Sequence, residues 1–361
     1  MKFMFFTDLH IKAVTPARRV GSYEDDILKK LAFLLITAQK RGMDFIICGG
    51  DLFDMPNPSF RVASKVMRLI ATSEVPWYHV FGNHELVGHN TESYDLGVLA
   101  FFEHLPNFHI MPSNGIGHET SPIKIYPVHY SHGVEENREV WKSKPNSIIA
   151  AHAMVTPGEV PFIHTTPEKL KDSISARLVL LGHYHDPWAK IIIREKVSDG
   201  MKKELSVGLK KILTSKEEWG LVFPWTEFGR INLFINPGSI ARIALLSHNL
   251  SRIPRAIIVD DNADGVKISS LPISIAKPPD EVFAIGEAER DSDWENRIQD
   301  FLKAMENVKV EGIEAATLVM NAAKARAGVE NIDEIEEDQK RVLDRALSAV
   351  SQAENGTAIT E

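Results

Sequence analysis

The sequence predicts an α/β fold in which helices pack on a mainly parallel sheet. Within the first hundred residues, short apolar runs alternate with segments whose apolar positions recur at helical spacing. The connections between these segments are short, and this order is typical of strand–helix–strand units with parallel strands. Several apolar runs end directly at a polar or glycine-containing turn, so we expect polar side chains to gather at the carboxyl ends of the strands.

Periodicity and capping place the individual elements. Residues 22–41 are predicted as an amphipathic helix, with Ser22 as its N-cap and Gly42 as its stop. A second helix carries Val62 and Val66 on its apolar face, and a third helix contains Leu99. Strands are predicted at 2–6, 46–48, 75–81, 108–111, 123–128, 147–151, 178–181, 188–194 and 231–235, and a hairpin pairs 255–259 with 266–270. The second half of the core is therefore expected to be antiparallel or mixed.

Composition limits the class of protein. The 361 residues, 44% of them hydrophobic, can form one large domain and a smaller one. The only cysteine, Cys48, lies inside an apolar strand, which excludes a disulfide framework and a thiolate metal site. The chain begins with a strand, and no apolar run reaches membrane-spanning length. We therefore expect a soluble, cytoplasmic protein with no membrane partner.

Charge divides the chain into two parts. Residues 281–361 carry 19 acidic and 9 basic residues, whereas residues 1–280 carry 30 and 32. Thirteen of the fourteen histidines lie at or before His185, so the chemistry is expected in the first part. The predicted division is a core with accessory strands at 1–273, a linker at 274–292 and a helical module at 293–361, with helices at 293–305, 312–327 and 332–353.

Five short motifs with metal-binding residue types each follow an apolar run. They are Asp8-Leu9-His10, Gly50-Asp51, Gly82-Asn83-His84-Glu85, Ala151-His152 and Gly182-His183-Tyr184-His185. The two glycines before Asp51 allow a tight turn that presents its carboxylate. The two-residue spacing within the first and last motifs puts both side chains on the same side of an extended strand end. One such motif alone is more often a turn with a satisfied histidine, but the combination favours a metal site.

Oxygen and imidazole donors without thiolates suit manganese, magnesium, iron or zinc. The candidate ligands are Asp8, His10, Asp51, Asn83, His152, His183 and His185. A carboxylate can bridge two cations because each of its oxygens has a lone pair to donate, and Asp51 is the natural bridge. Two cations about 3.5–4 Å apart can hold a phosphoryl oxygen, activate a water and stabilise charge in an in-line displacement.

In this order, the five motifs resemble those of the calcineurin-like metallophosphoesterase family, over roughly residues 1–245. The resemblance implies a four-layer α-β-β-α sandwich. It also implies that Asp8, His10, Asp51 and His185 hold one metal, and Asp51, Asn83, His152 and His183 the other. By its place after Asn83, His84 matches the histidine that contacts phosphate and protonates the leaving oxygen in that family. An imidazolium can donate such a proton near neutral pH.

Within the family, the chain is most similar to SbcD-type DNA double-strand-break-repair nucleases. The similarity lies in the stretches 50–54, 75–84, 182–187 and Asn236-Pro237-Gly238-Ser239, in the hairpin that ends near Pro272 and in the helical C-terminal part. It implies a manganese-dependent exo- and endonuclease acting on DNA in repair or recombination. It also implies an SMC-like ATPase partner that binds the C-terminal helices, and a homodimer. The residues themselves leave open whether these helices bind a partner or form a self-contained mini-domain.

Two features depart from the nuclease pattern. Asp54 stands where archaeal and eukaryotic relatives have a histidine and bacterial ones often have aspartate, so its predicted role is to position the substrate strand. The basic segment 195–230 is longer than the usual connection, and its lysines alternate with acidic residues. This alternation favours a solvated insertion over a DNA clamp.

The motifs leave other functions open. A phosphatase or a cyclic-nucleotide phosphodiesterase would break a P–O bond with the same residues. A DNA-end-binding scaffold subunit is a further alternative, although such a subunit has no need of a leaving-group acid.

Overall fold

The computed structural model of the chain describes residues 1–284, apart from 120, 144, 196, 198, 225–229 and 263–264. The three C-terminal helices predicted at 293–305, 312–327 and 332–353 lie outside the described residues, as does the linker from 285 onward. The predicted domain boundaries therefore stay predictions.

Two β-sheets form the centre of the fold, which is mixed α/β as predicted. The strands are β1 (Lys2–Phe6), β2 (Phe45–Cys48), β3 (Trp77–His79), β4 (Phe108–Ile110), β5 (Ile116–Gly117), β6 (Lys124–Val128), β7 (Ser147–His152), β8 (Leu178–Gly182), β9 (Trp188–Ile193), β10 (Trp219–Pro224), β11 (Ile231–Asn236), β12 (Arg255–Asn262) and β13 (Gly265–Pro272). The helices are α1 (Tyr23–Lys40), α2 (Phe60–Ala71), α3 (Leu99–Phe102), α4 (Pro167–Leu170), α5 (Asp199–Thr214), α6 (Ser247–Ser251) and α7 (Pro279–Val282).

The first sheet has the strand order β10-β13-β12-β1-β2-β3-β4. The strands β1 to β4 run parallel, as the short strand–helix–strand connections predict. The predicted hairpin is confirmed, since β12 and β13 pair antiparallel in register from Arg255 opposite Pro272 to Asn262 opposite Gly265. It joins the sheet through antiparallel pairing of β12 with β1.

The second sheet has the order β5-β6-β7-β8-β11-β9. Its four central strands are parallel, and antiparallel β5 and β9 form its edges. The second half of the chain is thus mixed rather than purely antiparallel. The carboxyl ends of β7 and β8 consequently lie at one edge of this sheet, where His152 ends β7 and His183 follows β8.

The main core lies between the two sheets. Phe3 and Phe5 of β1 belong to the same hydrophobic cluster as Ile148 and Ala150 of β7. Because side chains alternate along a strand, Ile149 and Ala151 face the other side of the second sheet, where they pack in a separate cluster with Trp141 and Leu170. The corresponding outer face of the first sheet buries Met4, Phe6 and Trp77, and the amphipathic crossover helices α1 and α2 each bury one side.

The caps of α1 and α2 have a simple local cause. The Ser22 side chain accepts a hydrogen bond from the Asp25 backbone N–H, as predicted, and Ser59 does the same for Val62 in α2. Between them, Arg61 and Lys65 of α2 pair with Glu24 of α1. Both crossovers are therefore fixed at their N-termini, next to the loops that follow β1 and β2.

The basic segment corrects one expectation. Residues 195–230 contain helix α5 and strand β10 rather than a solvated insertion. Leu205, Leu209 and Ile212 of α5 are buried in the core between the sheets, while its lysines stay exposed. The alternation of charges described only the solvent side of the helix, and the apolar residues at spacings of three and four occupy the other side.

A second compact unit comprises the described residues 15–21, 243–250 and 278–284. Within it, Arg19 and Phe283 form an antiparallel bridge, and the Val20 N–H donates to the Val282 carbonyl at 2.8 Å. Among the described residues, we find no helix with the length and apolar character needed to cross a bilayer.

Candidate metal centre

The backbone itself marks the site. Four of the predicted ligands, Asp8, His10, Asp51 and His183, have positive φ angles of 56°, 45°, 53° and 79°. This left-handed region is uncommon for residues other than glycine and costs energy. Such conformations persist where the surrounding structure enforces them, and they concentrate at functional sites.

Glycines at the strand ends allow the loops to approach one another. A Cβ atom on Gly50 would lie 2.2 Å from Nδ1 of His152, and one on Gly82 would lie 2.0 Å from Oδ1 of Asp51. Any side chain at either position would displace a predicted ligand. These glycines therefore let the ends of β2, β3 and β7 converge.

One set of donor atoms comes from Asp8, His10 and His185. The Nε2 atoms of His10 and His185 lie 3.0 Å apart, and each lies within 3.7 Å of Oδ1 of Asp8. The other carboxylate oxygen of Asp8 accepts a hydrogen bond from the Thr7 hydroxyl at 2.7 Å. The three ligand atoms lie within 4.8 Å of one another, which is the spacing expected around a single cation.

A second set comes from Asp51, Asn83, His152 and His183. Nε2 of His152 lies 3.1 Å from Nδ1 of His183, 3.2 Å from Oδ1 of Asn83 and 3.3 Å from Oδ2 of Asp51. The structure thus brings together all seven residues that the motifs predict. Their ligand role stays a prediction.

Asp51 lies between the two sets. Its Oδ2 atom is 3.3 Å from Nε2 of His152 and 3.7 Å from Nε2 of His10, whereas its Oδ1 atom accepts a hydrogen bond from the His84 N–H at 3.0 Å. The sequence predicts a bridging carboxylate in which each oxygen binds one cation. Here a single oxygen faces both sets, because the other is occupied by the backbone.

Hydrogen bonds at the far side of the histidine rings test whether cations fit. Nδ1 of His152 lies 2.7 Å from the Gly49 carbonyl, which can only accept, so Nδ1 carries the proton and Nε2 has a lone pair. Nδ1 of His10 lies 3.2 Å from Oδ1 of Asp54, whose negative charge favours a proton on this nitrogen. Both Nε2 lone pairs then face other acceptors across about 3 Å. Mutually facing lone pairs repel unless a proton or a metal cation lies among them, so the donor sets fit divalent cations.

The electrostatics of the protein alone point the same way. Burial lowers the pKa of His10, but Asp54, Asp8 and Asp51 outweigh burial and raise it to about 10. Burial likewise opposes charge on His152, and Asp51 and Asp8 raise its pKa to about 9. When no cation is bound, the buried carboxylates stabilise protons on these two imidazole rings.

The two histidines after β8 behave oppositely. Burial and the neighbouring His152 lower the pKa of His183 to about 3, and burial with His10 lowers that of His185 to about 4. Burial alone would raise the pKa values of Asp8 and Asp51. His10 and His152 nevertheless hold both pKa values below the usual range. The site therefore combines two carboxylates with neutral imidazoles at its edge, which is the donor set for hard and intermediate cations.

His84 and Asp54 occupy the rim of the site. A ring nitrogen of His84 lies within 4.8 Å of donor atoms of His10 and Asp51. Its Nδ1 atom lies 2.9 Å from the Asp54 carbonyl, so this nitrogen donates and Nε2 is left for other partners. The Asp54 carboxylate contacts Nδ1 of His10 at 3.2 Å and Nζ of Lys12 at 2.9 Å. It is thus engaged with protein groups, and the predicted contact of Asp54 with a substrate strand stays a prediction.

Sequence reasoning missed the residue that links the loops after β2 and β3. Glu85 is buried, and its carboxylate accepts from the Leu52 N–H at 2.6 Å and the Gly82 N–H at 2.9 Å. It also accepts from Nε2 of His79 at 2.8 Å. The only available signal was an acidic residue directly after Asn83 and His84, and nothing in the sequence shows what it contacts.

Comparisons with known proteins agree with this geometry. The chain matches the sequence model described as calcineurin-like phosphoesterase over residues 1–187. No curated protein matches it significantly.

Distant matches occur among solved structures. One is titled "GAP50 the anchor in the inner membrane complex of Plasmodium", with 11% identity over 77% of this chain and 86% of that chain, at a TM-score of 0.43. Another is a metallophosphoesterase from Sphaerobacter thermophilus, with 12% identity over 82% of this chain and 94% of that chain, at a TM-score of 0.34. Both are too distant to bear on function. The family model covers more than half of the residues of this chain, so the chain belongs to the calcineurin-like phosphoesterase family.

Proposed function

We propose that this phosphoesterase hydrolyses DNA phosphodiester bonds with two divalent cations, with Mn²⁺ as the first choice of metal. We further propose that it is the nuclease subunit of a complex with an SMC-like ATPase. The observation that carries the phosphoesterase part is the position of Asp51 Oδ2 between the two donor sets, with His84 beside it. Asp8, His10, Asp51 and His185 would hold one cation, and Asp51, Asn83, His152 and His183 the other.

The protein's own groups then have separate tasks. Bound cations would polarise a phosphoryl oxygen and lower the pKa of a water, as in other two-metal sites. Asp54 and the Gly49 carbonyl keep the rings of His10 and His152 oriented with Nε2 toward the donors. His84, fixed through Nδ1 by the Asp54 carbonyl, would use Nε2 to protonate the leaving oxygen.

The nuclease part rests on sequence outside the five motifs. The stretches 50–54, 75–84, 182–187 and 236–239 resemble SbcD-type nucleases, and the chain continues beyond the core with an acidic segment. A phosphatase or cyclic-nucleotide phosphodiesterase remains the alternative on the same site, since the donor sets serve any P–O cleavage. A non-catalytic scaffold is less consistent with a complete donor set beside His84.

Substrate assays separate these functions. We expect manganese-dependent cleavage of linear duplex or single-stranded DNA and of bis-p-nitrophenyl phosphate, with weak hydrolysis of p-nitrophenyl phosphate. His84→Ala should abolish cleavage of DNA, while His104→Ala, which changes an exposed histidine outside the site, should leave it intact. Brisk monoester hydrolysis without DNA cleavage would establish the phosphatase instead.

The partner proposal concerns residues 293–361. Deleting them should abolish association with an SMC-like ATPase without changing turnover of bis-p-nitrophenyl phosphate, because the site residues all lie before 186. Co-purification with and without the segment tests the association, and light scattering of the purified protein tests the proposed homodimer. Association that survives the deletion would assign the acidic segment another role.

A further inference from the structure

We infer that Tyr23, Ser239 and Arg252 form a clamp that holds the strained Asp8–His10 turn in its metal-binding conformation. We call these three residues the Asp8 clamp. They are positioning residues: each contacts backbone atoms of the turn or of its support. The inference rests on the proposed two-cation site and concerns the cation held by Asp8, His10 and His185.

Tyr23 contacts the turn from the start of helix α1. Its side chain is 1% exposed, and its hydroxyl lies 2.9 Å from the His10 carbonyl and 3.2 Å from the Leu9 carbonyl. One hydroxyl proton shared between two carbonyls fixes the orientation of both peptide groups. Those peptide groups flank His10, whose φ of 45° is unfavourable for a histidine.

Ser239 contacts a different carbonyl of the same turn. It lies in the Asn236–Ala241 segment, where its buried hydroxyl is 2.8 Å from the Asp8 carbonyl. The Ala241 N–H donates to the same carbonyl at 3.1 Å, and the Ser239 N–H donates to the His185 carbonyl at 3.1 Å. This segment therefore binds the backbone of two residues from one donor set.

Arg252 holds the backbone that carries Ser239. The Ser239 hydroxyl is also 2.9 Å from the Ala241 carbonyl, so its single proton has two competing acceptors. The buried guanidinium of Arg252 donates to the Ala241 carbonyl and to the Ser239 carbonyl. By binding both carbonyls, Arg252 fixes the Ser239–Ala241 backbone, and this keeps the Ser239 hydroxyl within 2.8 Å of the Asp8 carbonyl.

The close packing of the segment supports the same role. Gly238 has a φ of 76°, and a Cβ atom there would lie 2.7 Å from the His185 carbonyl. The Asn236 side chain spans the turn, since its amide donates to the Tyr184 carbonyl at 2.6 Å and its oxygen accepts from the Gly238 N–H at 2.7 Å. The Asn-Pro-Gly-Ser sequence thus acquires a physical function that the five metal motifs do not include.

Removing single hydroxyls tests the clamp with little risk to folding. Loss of a partner behind the ligands typically weakens metal binding about 10- to 100-fold. We therefore expect Tyr23→Phe and Ser239→Ala to weaken binding of one Mn²⁺ by this factor, measured by calorimetric and electron-paramagnetic-resonance titration of the metal-depleted protein. The second Mn²⁺ should bind as in the wild type. Excess Mn²⁺ should restore bis-p-nitrophenyl phosphate turnover with an unchanged KM for the ester.

The matched control is Tyr126→Phe, which removes a hydroxyl from β6 outside the site. Arg252→Lys provides an independent variant, because a lysine cannot donate to two carbonyls in the fork geometry of a guanidinium. If the wild type binds two Mn²⁺ and Tyr23→Phe and Ser239→Ala bind both with unchanged affinity, the clamp is refuted while the cation site stands. A wild type that binds no Mn²⁺ would overturn the cation site and the clamp together.

Discussion

At the scale of single residues, Asp51 connects everything else in the site. Its Oδ2 faces His10 and His152, and its Oδ1 accepts from the His84 backbone. Gly82 makes room for it, since a Cβ atom there would overlap Oδ1. The carboxylate is thus shared between both donor sets and also fixes the residue proposed as the acid.

Asp51→Ala should therefore lose both cations, whereas Asp8→Ala should lose one. The reason is that the Asp8 carboxylate lies near Nε2 of His10 and of His185, which belong to one donor set. The Asp51 carboxylate faces both sets. Manganese content after equilibrium dialysis measures the difference. Asp172→Ala, an exposed aspartate on the connection after α4, is the control. Retention of two manganese ions in Asp51→Ala would refute the shared carboxylate.

The His84 role predicts a dependence on the leaving group. Removing a general acid costs about 100- to 10,000-fold in rate, and the cost grows as the leaving oxygen becomes more basic. His84→Ala should thus lose far more activity on DNA, which releases an alkoxide, than on bis-p-nitrophenyl phosphate, which releases a stable phenolate. Steady-state kcat values on both substrates measure this, with manganese content checked to be unchanged. Equal losses on the two substrates would assign His84 to phosphate binding rather than proton transfer.

At the scale of elements, the sequence predicts those parts whose signal is local. The apolar runs that became β1, β2, β7 and β8 and the capped helix α1 could be read directly, because strand and helix periods show in a few residues. The positions of the candidate ligands at the ends of these strands could be predicted in the same way, and their metal-binding role stays a prediction. Contacts between distant residues leave no such signal. Tyr23 reaching His10, Glu85 reaching Leu52 and Arg252 reaching Ser239 are consequences of topology, so they required the structure.

Helix α5 shows where local reading goes wrong. Its 16 residues include four lysines and one glutamate, which draw attention away from the buried Leu205, Leu209 and Ile212 on its other side. Those residues contribute to the core between the sheets, and α5 lies beside β10 and β9, the edge strands of the two sheets. Helix α5 and strand β10 are thus part of the α/β core and not an appendage of it.

Core burial of α5 predicts a large stability effect. Leu209→Ala and Ile212→Ala should each lower the free energy of unfolding by about 2–5 kcal/mol, because each leaves a cavity in the core. Val207→Ala, at a half-exposed position of the same helix, should change it by no more than about 0.5 kcal/mol. Urea titrations followed by circular dichroism compare the three variants. If Leu209→Ala behaves like Val207→Ala, the helix is not part of the core.

At the scale of the whole molecule, the site concentrates buried charge at one edge of the sandwich. Asp8, Asp51, His10 and His152 are each at most 1% exposed, and burial opposes the charge on every one of them. The metal-free protein can balance the carboxylates only with protons on its imidazoles. Cations would replace those protons, so cation binding should release protons and strengthen as the pH rises.

This balance predicts a stability maximum near pH 6.5 for the metal-depleted protein. From about pH 4 to 6.5, the unfolded chain binds protons at His183 and His185 that the folded protein does not, because their folded pKa values are about 3 and about 4. Stability therefore rises with pH in this range. Above 6.5, His10 and His152 keep protons only in the folded state, up to pKa values of about 10 and about 9, so stability falls as the pH rises. Urea unfolding in the presence of EDTA across this range measures both limbs of the stability curve, the rise below pH 6.5 and the descent above it. His152→Asn should reduce the descending limb, and saturating Mn²⁺ should abolish it, whereas stability that climbs steadily through pH 9 would contradict the proposed exchange of protons for cations.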